Sequence, residues 1–341
     1  MNLETPERKD QYAERFKHPE VLEIEGGTVE VVDLQPPPER LKTPVPLIVM
    51  PGWLGNVEVW EKTAVMMVKE GRRVIVVAAP HGVETGREDP TIPQAELRKA
   101  ASFMRILDAK GIEKADVLTH SEGGVFMTAA ALENPDRVRT LLYNAPVGLI
   151  GEDGFWKLAW RFFNDMAKET SEIKGGKGGE ERAAQALTGQ KAGGKALFKW
   201  PEPGTPGITH GKAALQALKE VIAMAKSQTQ NNIRALHEAG VKIIIMHPVG
   251  DRVSPMSRMV GTPELDEEGK MIPTEEDRIK VEGAIVKADM VDGFLSVGDP
   301  TGTGEISDTH NSVFLSYKQF TAAIDSLLDT VERNIAKETR A

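Results

Sequence analysis

Ala115-Asp116-Val117-Leu118-Thr119-His120-Ser121-Glu122-Gly123-Gly124 is the stretch on which the reading of the whole chain turns. A short apolar run climbs to His120, stops at Ser121, and gives way to Gly123-Gly124-Val125-Phe126-Met127-Thr128-Ala129-Ala130-Ala131-Leu132, which reads as a helix. A strand, an abrupt turn and a helix form the setting in which a serine hydroxyl is lifted clear of its neighbours. The backbone on either side of such a turn passes close to other elements, so small residues are needed two positions before and two after. Gly123 meets that need, and Thr119 stands where glycine is the usual choice. A serine here also reads as a simple helix cap, so the remaining chain has to decide between the two.

Outward from this stretch the pattern is of alternating buried strands and helices. Pro46-Leu47-Ile48-Val49-Met50 and Arg73-Val74-Ile75-Val76-Val77-Ala78-Ala79 are continuous apolar runs, the mark of strands covered on both faces. Helices are expected over 57–70 and 93–110, and a further strand over 138–144. This alternation predicts an α/β fold with a mostly parallel central sheet flanked by helices. Val21-Leu22-Glu23-Ile24-Glu25 and Thr28-Val29-Glu30-Val31-Val32 alternate around Gly26-Gly27, which predicts an edge hairpin; residues 1–19 are read as a polar, frayed lead-in.

The alternation breaks off at 151–235, where no strand-like run occurs. Helices are expected from Phe155 to Lys168 and from Lys212 to Ala239, with a loose Gly-rich stretch from Gly175 to Gly194 between them. An all-helical insertion of this kind predicts a cap lobe on a core made of residues 20–150 and 236–341. Strands are expected again at 241–246 and 291–297, and a closing amphipathic helix over 312–337 carries Leu315, Phe320, Ile324, Leu327, Leu328 and Val331 as its apolar stripe.

The 341 residues are 40% hydrophobic, enough for one large core with an inserted lobe or for two domains. The formal net charge of −9 argues against nucleic acid or an anionic membrane as the main partner. There is no cysteine, which excludes disulfides, thiolate catalysis and thiolate metal sites. The charged start, Met1-Asn2-Leu3-Glu4-Thr5-Pro6, has no apolar core of a signal segment, and no apolar run reaches membrane-spanning length. The expectation is a cytoplasmic protein without an integral membrane segment.

A serine hydroxyl is a weak nucleophile unless a base lies within hydrogen-bond reach and a third group orients that base. For a sheet of this kind the expected chain order is Ser, then Asp or Glu, then His, each in the loop after a strand. Asp251 follows strand 241–246, and His310 follows the last strand just before the closing helix. Singly, each reads as a turn or capping residue; together, in this order and these places, Ser121, Asp251 and His310 read as a catalytic triad. Met50-Pro51-Gly52-Trp53-Leu54-Gly55-Asn56 follows the first buried strand, where the backbone N–H of Trp53, with that of Glu122, is the best candidate for an oxyanion hole.

These motifs make the chain similar to α/β-hydrolase-fold serine hydrolases with a helical cap, of the esterase, lipase and carbon–carbon hydrolase type. Pro51-Gly52-Trp53-Leu54-Gly55-Asn56 through Trp60 resembles that family's oxyanion loop, Thr119 to Gly124 its serine motif, and Gly250-Asp251-Arg252-Val253-Ser254-Pro255 its acid loop. The resemblance spans roughly 20–150 and 236–335 and carries the triad roles to Ser121, Asp251 and His310. Serine in place of a nucleophilic aspartate argues against the dehalogenase and epoxide-hydrolase branches. Departures include Pro51 for a common His, Thr119 for Gly, and residues 79–86 in place of the usual Asp-x-x-Gly-x-Gly-x-Ser. Glu122 puts a carboxylate next to the nucleophile, where it would oppose an oxyanion or raise the pKa of the base. The charged stretch from Pro263 to Lys287 lengthens the path from the acid to His310 and suggests a second lid.

Other signals carry less. Gly189-Gln190-Lys191-Ala192-Gly193-Gly194-Lys195 has P-loop spacing, but Ala196 stands where Ser or Thr should hold magnesium. Gly302-Thr303-Gly304 opens no helix, so it is not a dinucleotide site. His18, His81, His210 and His237 lack ligand spacing, so no metal and no cofactor are expected. His120 is expected to support the elbow rather than act as base. Trp156, Trp160 and Phe163, with Phe162, are candidates to line an acyl pocket, though packing inside the cap explains them almost as well. The expected chemistry is cleavage of a carboxylic ester with an apolar part through an acyl-enzyme. An acyltransferase or a carbon–carbon hydrolase on the same triad, and a weakly active or non-catalytic binding protein of the same fold, are the alternatives.

Overall fold

The structure is a computed structural model that describes residues 6–53, 55–80, 82–174, 210–259, 286, 288–298 and 306–338. Its centre is an eight-stranded sheet: β1 (Glu20–Ile24), β2 (Gly27–Leu34), β3 (Leu47–Met50), β4 (Val74–Val77), β5 (Ala115–His120), β6 (Val138–Asn144), β7 (Lys242–Pro248) and β8 (Gly293–Val297), in the spatial order β1-β2-β4-β3-β5-β6-β7-β8. The β1/β2 hairpin is antiparallel and joins β4 antiparallel; every pairing from β4 through β8 is parallel.

The apolar runs explain why this sheet is covered twice. Ile48, Met50, Ile75, Val77, Val117, Leu141, Tyr143, Ile243 and Ile245 feed one core layer. Their alternating neighbours Leu47, Val49, Val74, Val76, Leu118, Leu142, Ile244 and Met246 feed the other. Period-two alternation within an all-apolar strand leaves both faces needing cover. Helices α3 (Gln94–Ala109) and α4 (Gly123–Glu133) cover the first face with Phe103, Ile106 and Phe126; α2 (Glu61–Lys69) and the C-terminal helix cover the second.

Several expectations are revised. Residues Pro6–Lys17 form a helix, α1, because Phe16 is buried against the second layer and anchors it. The helix expected over 212–239 is two: α6 (His210–Lys226) ends where Gln228 leaves helical geometry and its N–H donates to the Thr91 carbonyl at 2.9 Å, and α7 (Ile233–Glu238) then packs on the first layer. The closing helix is also split at Ser316, into α9 (Ser312–Leu315) and α10 (Tyr317–Glu338), while α8 is the short Met256–Met259 turn. Among the described residues between β6 and β7, the regular structure is helical, with α5 (Phe155–Lys174) the longest element. The Gly-rich stretch from Gly175 to Gly194, the P-loop-like run, the Gly302 stretch, His81 and, but for Val286, the 263–287 segment lie outside the described residues. No helix among the described residues is long and apolar enough to cross a membrane.

Candidate active site

The turn at Ser121 is built as the sequence requires. Ser121 sits at the carboxyl end of β5 with φ +52°, the left-handed region that a non-glycine residue adopts only when its surroundings impose it. Its N–H donates to Asn144 at 3.1 Å, and its carbonyl accepts from Gly124 at 3.1 Å. A β-carbon on Gly123 would stand 2.7 Å from the Pro51 carbonyl oxygen and 3.0 Å from that of Met50, so only glycine passes here. Thr119 fits two residues before the serine because it lies within the strand, its hydroxyl donating to the Leu142 carbonyl at 3.3 Å.

Parallel strands deliver their following loops to one end of the sheet. Asp251 and His310 arrive there from the loops after β7 and β8. His310 Nε2 lies 2.8 Å from Ser121 Oγ, and Nδ1 lies 2.9 Å from Asp251 Oδ2. The other carboxylate oxygen of Asp251 accepts from Val253 N–H at 2.8 Å and Ser254 N–H at 3.0 Å. Burial alone would push the His310 pKa down, but the Asp251 charge and hydrogen bond more than offset it, leaving it above its ordinary value. Burial likewise opposes the Asp251 charge, yet the His310 partner holds that carboxyl below its ordinary value. With Asp251 on Nδ1–H, Nε2 is left to accept the serine proton.

His120 is a packing residue. Its ring lies among Trp60, Phe314 and His310, and Nε2–H donates to the His310 carbonyl at 3.1 Å. Burial, then the proximity of His310, pushes its pKa down to about 3, so it stays neutral.

The loop after β3 runs against Ser121. A β-carbon on Gly52 would lie 2.9 Å from Ser121 Cβ and 3.1 Å from His120 Nδ1. Glycine there lets the loop that carries Trp53 pass tightly against Ser121 and His120. Glu122, at the start of α4, carries one of the amides that a helix leaves without an intrahelical acceptor. The Glu122 side chain is buried and faces Lys99, whose Nζ lies 2.6 Å from its Oε1. The ammonium offsets the carboxylate that the sequence places next to Ser121.

The aromatic residues of α5 are arranged differently from the expectation. Trp156, Trp160 and Phe163 lie on the outer face of the helix, 80%, 68% and 66% exposed. The inward stripe is Leu158, Phe162 and Asp165. Phe162 meets the Trp53 ring edge-on at 6.3 Å between centroids. Asp165 is buried and accepts from His310 N–H at 2.8 Å and Arg252 N–H at 3.1 Å, so one carboxylate holds both the histidine loop and the acid loop. Burial keeps its pKa above the ordinary value despite these donors. Lys168 pairs with Asp308 at 2.6 Å and Glu169 accepts from Asn311 at 3.1 Å, so two further contacts to the histidine loop come from the same helix. None of these residues belongs to a motif. The available signals were an acid on an apolar stripe at Asp165 and a glutamate at the head of the apolar helix α4, each of which needs a polar partner when buried.

Residues 45–166 match the family described as the alpha/beta hydrolase fold. No curated protein matches the chain. Among solved structures, a hydrolase from Pseudomonas aeruginosa PA01 is similar with a TM-score of 0.51 at 15% identity, over 91% of this chain and 98% of that one. An esterase from Exiguobacterium antarcticum gives 0.52 at 13%, over 92% and 98%. The enol-lactonase from Burkholderia xenovorans LB400 gives 0.51 at 12%, over 88% and 97%. Identities this low speak to the fold alone. The family match over β3 to α5, the parallel sheet with its antiparallel edge hairpin, and the serine turn after β5 agree: the chain has the α/β-hydrolase fold.

Proposed function

We propose that the protein is a serine hydrolase that cleaves a carboxylic ester through an acyl-enzyme. The observation that carries this reading is the continuous hydrogen-bond chain from Ser121 Oγ through His310 to Asp251, with links of 2.8 and 2.9 Å, next to a glycine-bearing loop. Ser121 attacks the acyl carbonyl as His310 Nε2 takes its proton. Asp251 stabilises the imidazolium, which then protonates the leaving alcohol. The amides of Trp53 and Glu122 meet the developing oxyanion. Water, deprotonated by the same histidine, releases the acid and restores the serine. The helical insertion acts as a cap over this end of the sheet, and the substrate is a small molecule. The esterase and enol-lactonase among the similar folds make a carboxylic ester or lactone the first substrates to try.

The test is labelling by a fluorophosphonate, with the modified residue mapped by mass spectrometry, alongside turnover of a panel of 4-nitrophenyl esters. Labelling at Ser121 with ester turnover is expected. Labelling without turnover on any ester moves the reading to acyl transfer, and absence of labelling at Ser121 overturns the covalent mechanism.

A further inference from the structure

Beside the nucleophile lies a buried group of charges that the proposed mechanism does not use. Lys99 of α3 has its ammonium 2.6 Å from Glu122 and 3.4 Å from Glu220 of α6. Glu220 Oε2 also accepts the indole N–H of Trp53 at 3.1 Å. Glu96, one turn before Lys99 on α3, is fully buried, and neither its oxygens nor Glu122 Oε2 meet a donor. A proton shared between Glu96 and Glu122 satisfies both. Burial first, then the Glu122 charge, raise Glu96 well above its ordinary value, so it is the carboxyl that holds that proton. What remains is one cation between two carboxylates, drawn from α3, the head of α4 and α6.

The ends of this chain are the two residues whose backbone amides were assigned to the oxyanion. Trp53 is held through its indole, and Glu122 through its carboxylate. A buried ion chain of this kind is costly unless each member is satisfied, so its geometry is sharply specified. We infer that Glu220 is a positioning residue for the oxyanion hole: through the Trp53 indole, and through the Lys99 it shares with Glu122, it fixes both amides from the inserted helix α6. The inference rests on the serine-hydrolase reading and adds that seating of α6 is a condition for an efficient transition state rather than for substrate binding.

The experiment compares Glu220→Ala, Trp53→Phe, their double variant and Glu220→Gln in the full chain. The readouts are kcat and KM on the best 4-nitrophenyl ester and the Ki of an alkyl trifluoromethyl ketone, whose adduct carries an oxyanion. A whole lost oxyanion donor costs on the order of 10²–10³ in kcat, so a displaced one is expected to cost about 10-fold. Both single variants should show that loss in kcat and the same weakening of the ketone, with KM little changed. The double variant should be no worse than the worse single one, because both cut one link. Glu220→Gln keeps an acceptor for the indole and should recover most of kcat. A change confined to KM, unaltered ketone binding, or fully additive losses would overturn the inference. Trp53→Phe carries the test alone if Glu220→Ala does not fold. If the wild type labels with fluorophosphonate but turns over no ester, the rate of that labelling replaces kcat. If it does not label at all, the hydrolase reading falls and this inference falls with it.

Discussion

His310 donates its backbone N–H to Asp165 at 2.8 Å while its side chain bridges Ser121 and Asp251. The histidine is thus held twice, at its ring by the loop after β7 and at its backbone by α5. Asp165→Ala removes the backbone hold and frees Arg252 N–H as well. Leaving buried donors unmet costs ~1–3 kcal/mol of stability. Misplacing the base should lower kcat by about 10- to 100-fold. The charge also matters, since Asp165 helps raise the His310 pKa. Asp165→Asn should therefore move the acid limb of kcat/KM to lower pH. A lower kcat with an unmoved limb would mean that only geometry was lost.

Ser121→Ala tests the nucleophile. The variant keeps the same backbone demand at φ +52°, so the fold should persist. Removal of one triad member lowers kcat by on the order of 10⁵–10⁶ in a covalent mechanism. Circular dichroism and thermal melting check the fold; turnover close to that of the wild type would exclude Ser121 as nucleophile.

Gly123→Ala tests whether the turn is packed as tightly as its distances imply. The added carbon would meet two backbone carbonyl oxygens, those of Pro51 and Met50, which cannot rotate away. Overpacking of this kind costs typically ~1–3 kcal/mol. The loss should appear as a lower Tm together with lost activity, because the strain falls on the loop that carries Trp53. An unchanged Tm would show that the loop yields freely.

The strand runs, the serine turn and the loops bearing Asp251 and His310 were legible because each is a local pattern: apolar continuity, a turn of small residues, a polar residue just past a strand. Asp165 was not legible in the same way. Its partners lie 87 and 145 positions away, and nothing within α5 says which loops will return beside it. Lys99 reads as one more polar residue on an amphipathic helix until α4 places Glu122 against it. The aromatic cluster of α5 was legible as apolar, but which of its residues face inward depends on where the helix rests. The rotation places Phe162 and Asp165 inside and leaves Trp156, Trp160 and Phe163 outside.

That rotation gives a contrast. Trp160→Ala removes an exposed ring and should change neither Tm nor the preference between short and long acyl esters. Phe162→Ala removes the ring that meets Trp53 edge-on, and should alter chain-length preference and lower kcat. Measurement of kcat/KM across esters of increasing acyl length separates them. A shift in preference from Trp160→Ala alone would put the acyl chain on the outer face of the helix.

The assignment of the orienting acid can be checked through pH. As base, His310 has to be neutral, and its pKa stands above the ordinary imidazole value through Asp251. The rate constant kcat/KM should therefore rise with pH through one ionisation above ~6.5, the unperturbed value, and then level off. The same shift has a consequence of opposite sign for stability. A group whose pKa is raised on folding adds stability below its unfolded value, and that part is lost as pH climbs through the folded value. Activity gained on the alkaline side thus coincides with a small loss in the His310 contribution to folding. Asp308 is two positions from His310, but its carboxylate pairs with Lys168 at 2.6 Å, whereas Asp251 meets Nδ1 directly. Asp251→Asn should lower kcat by about 10⁴, because the amide favours the wrong imidazole tautomer. Asp308→Asn should cost less than about 10-fold, by loosening the Lys168 contact to the histidine loop. If the profile is flat from about pH 5 to 9, or if Asp308→Asn is the more damaging change, Asp251 is not the residue that orients the base.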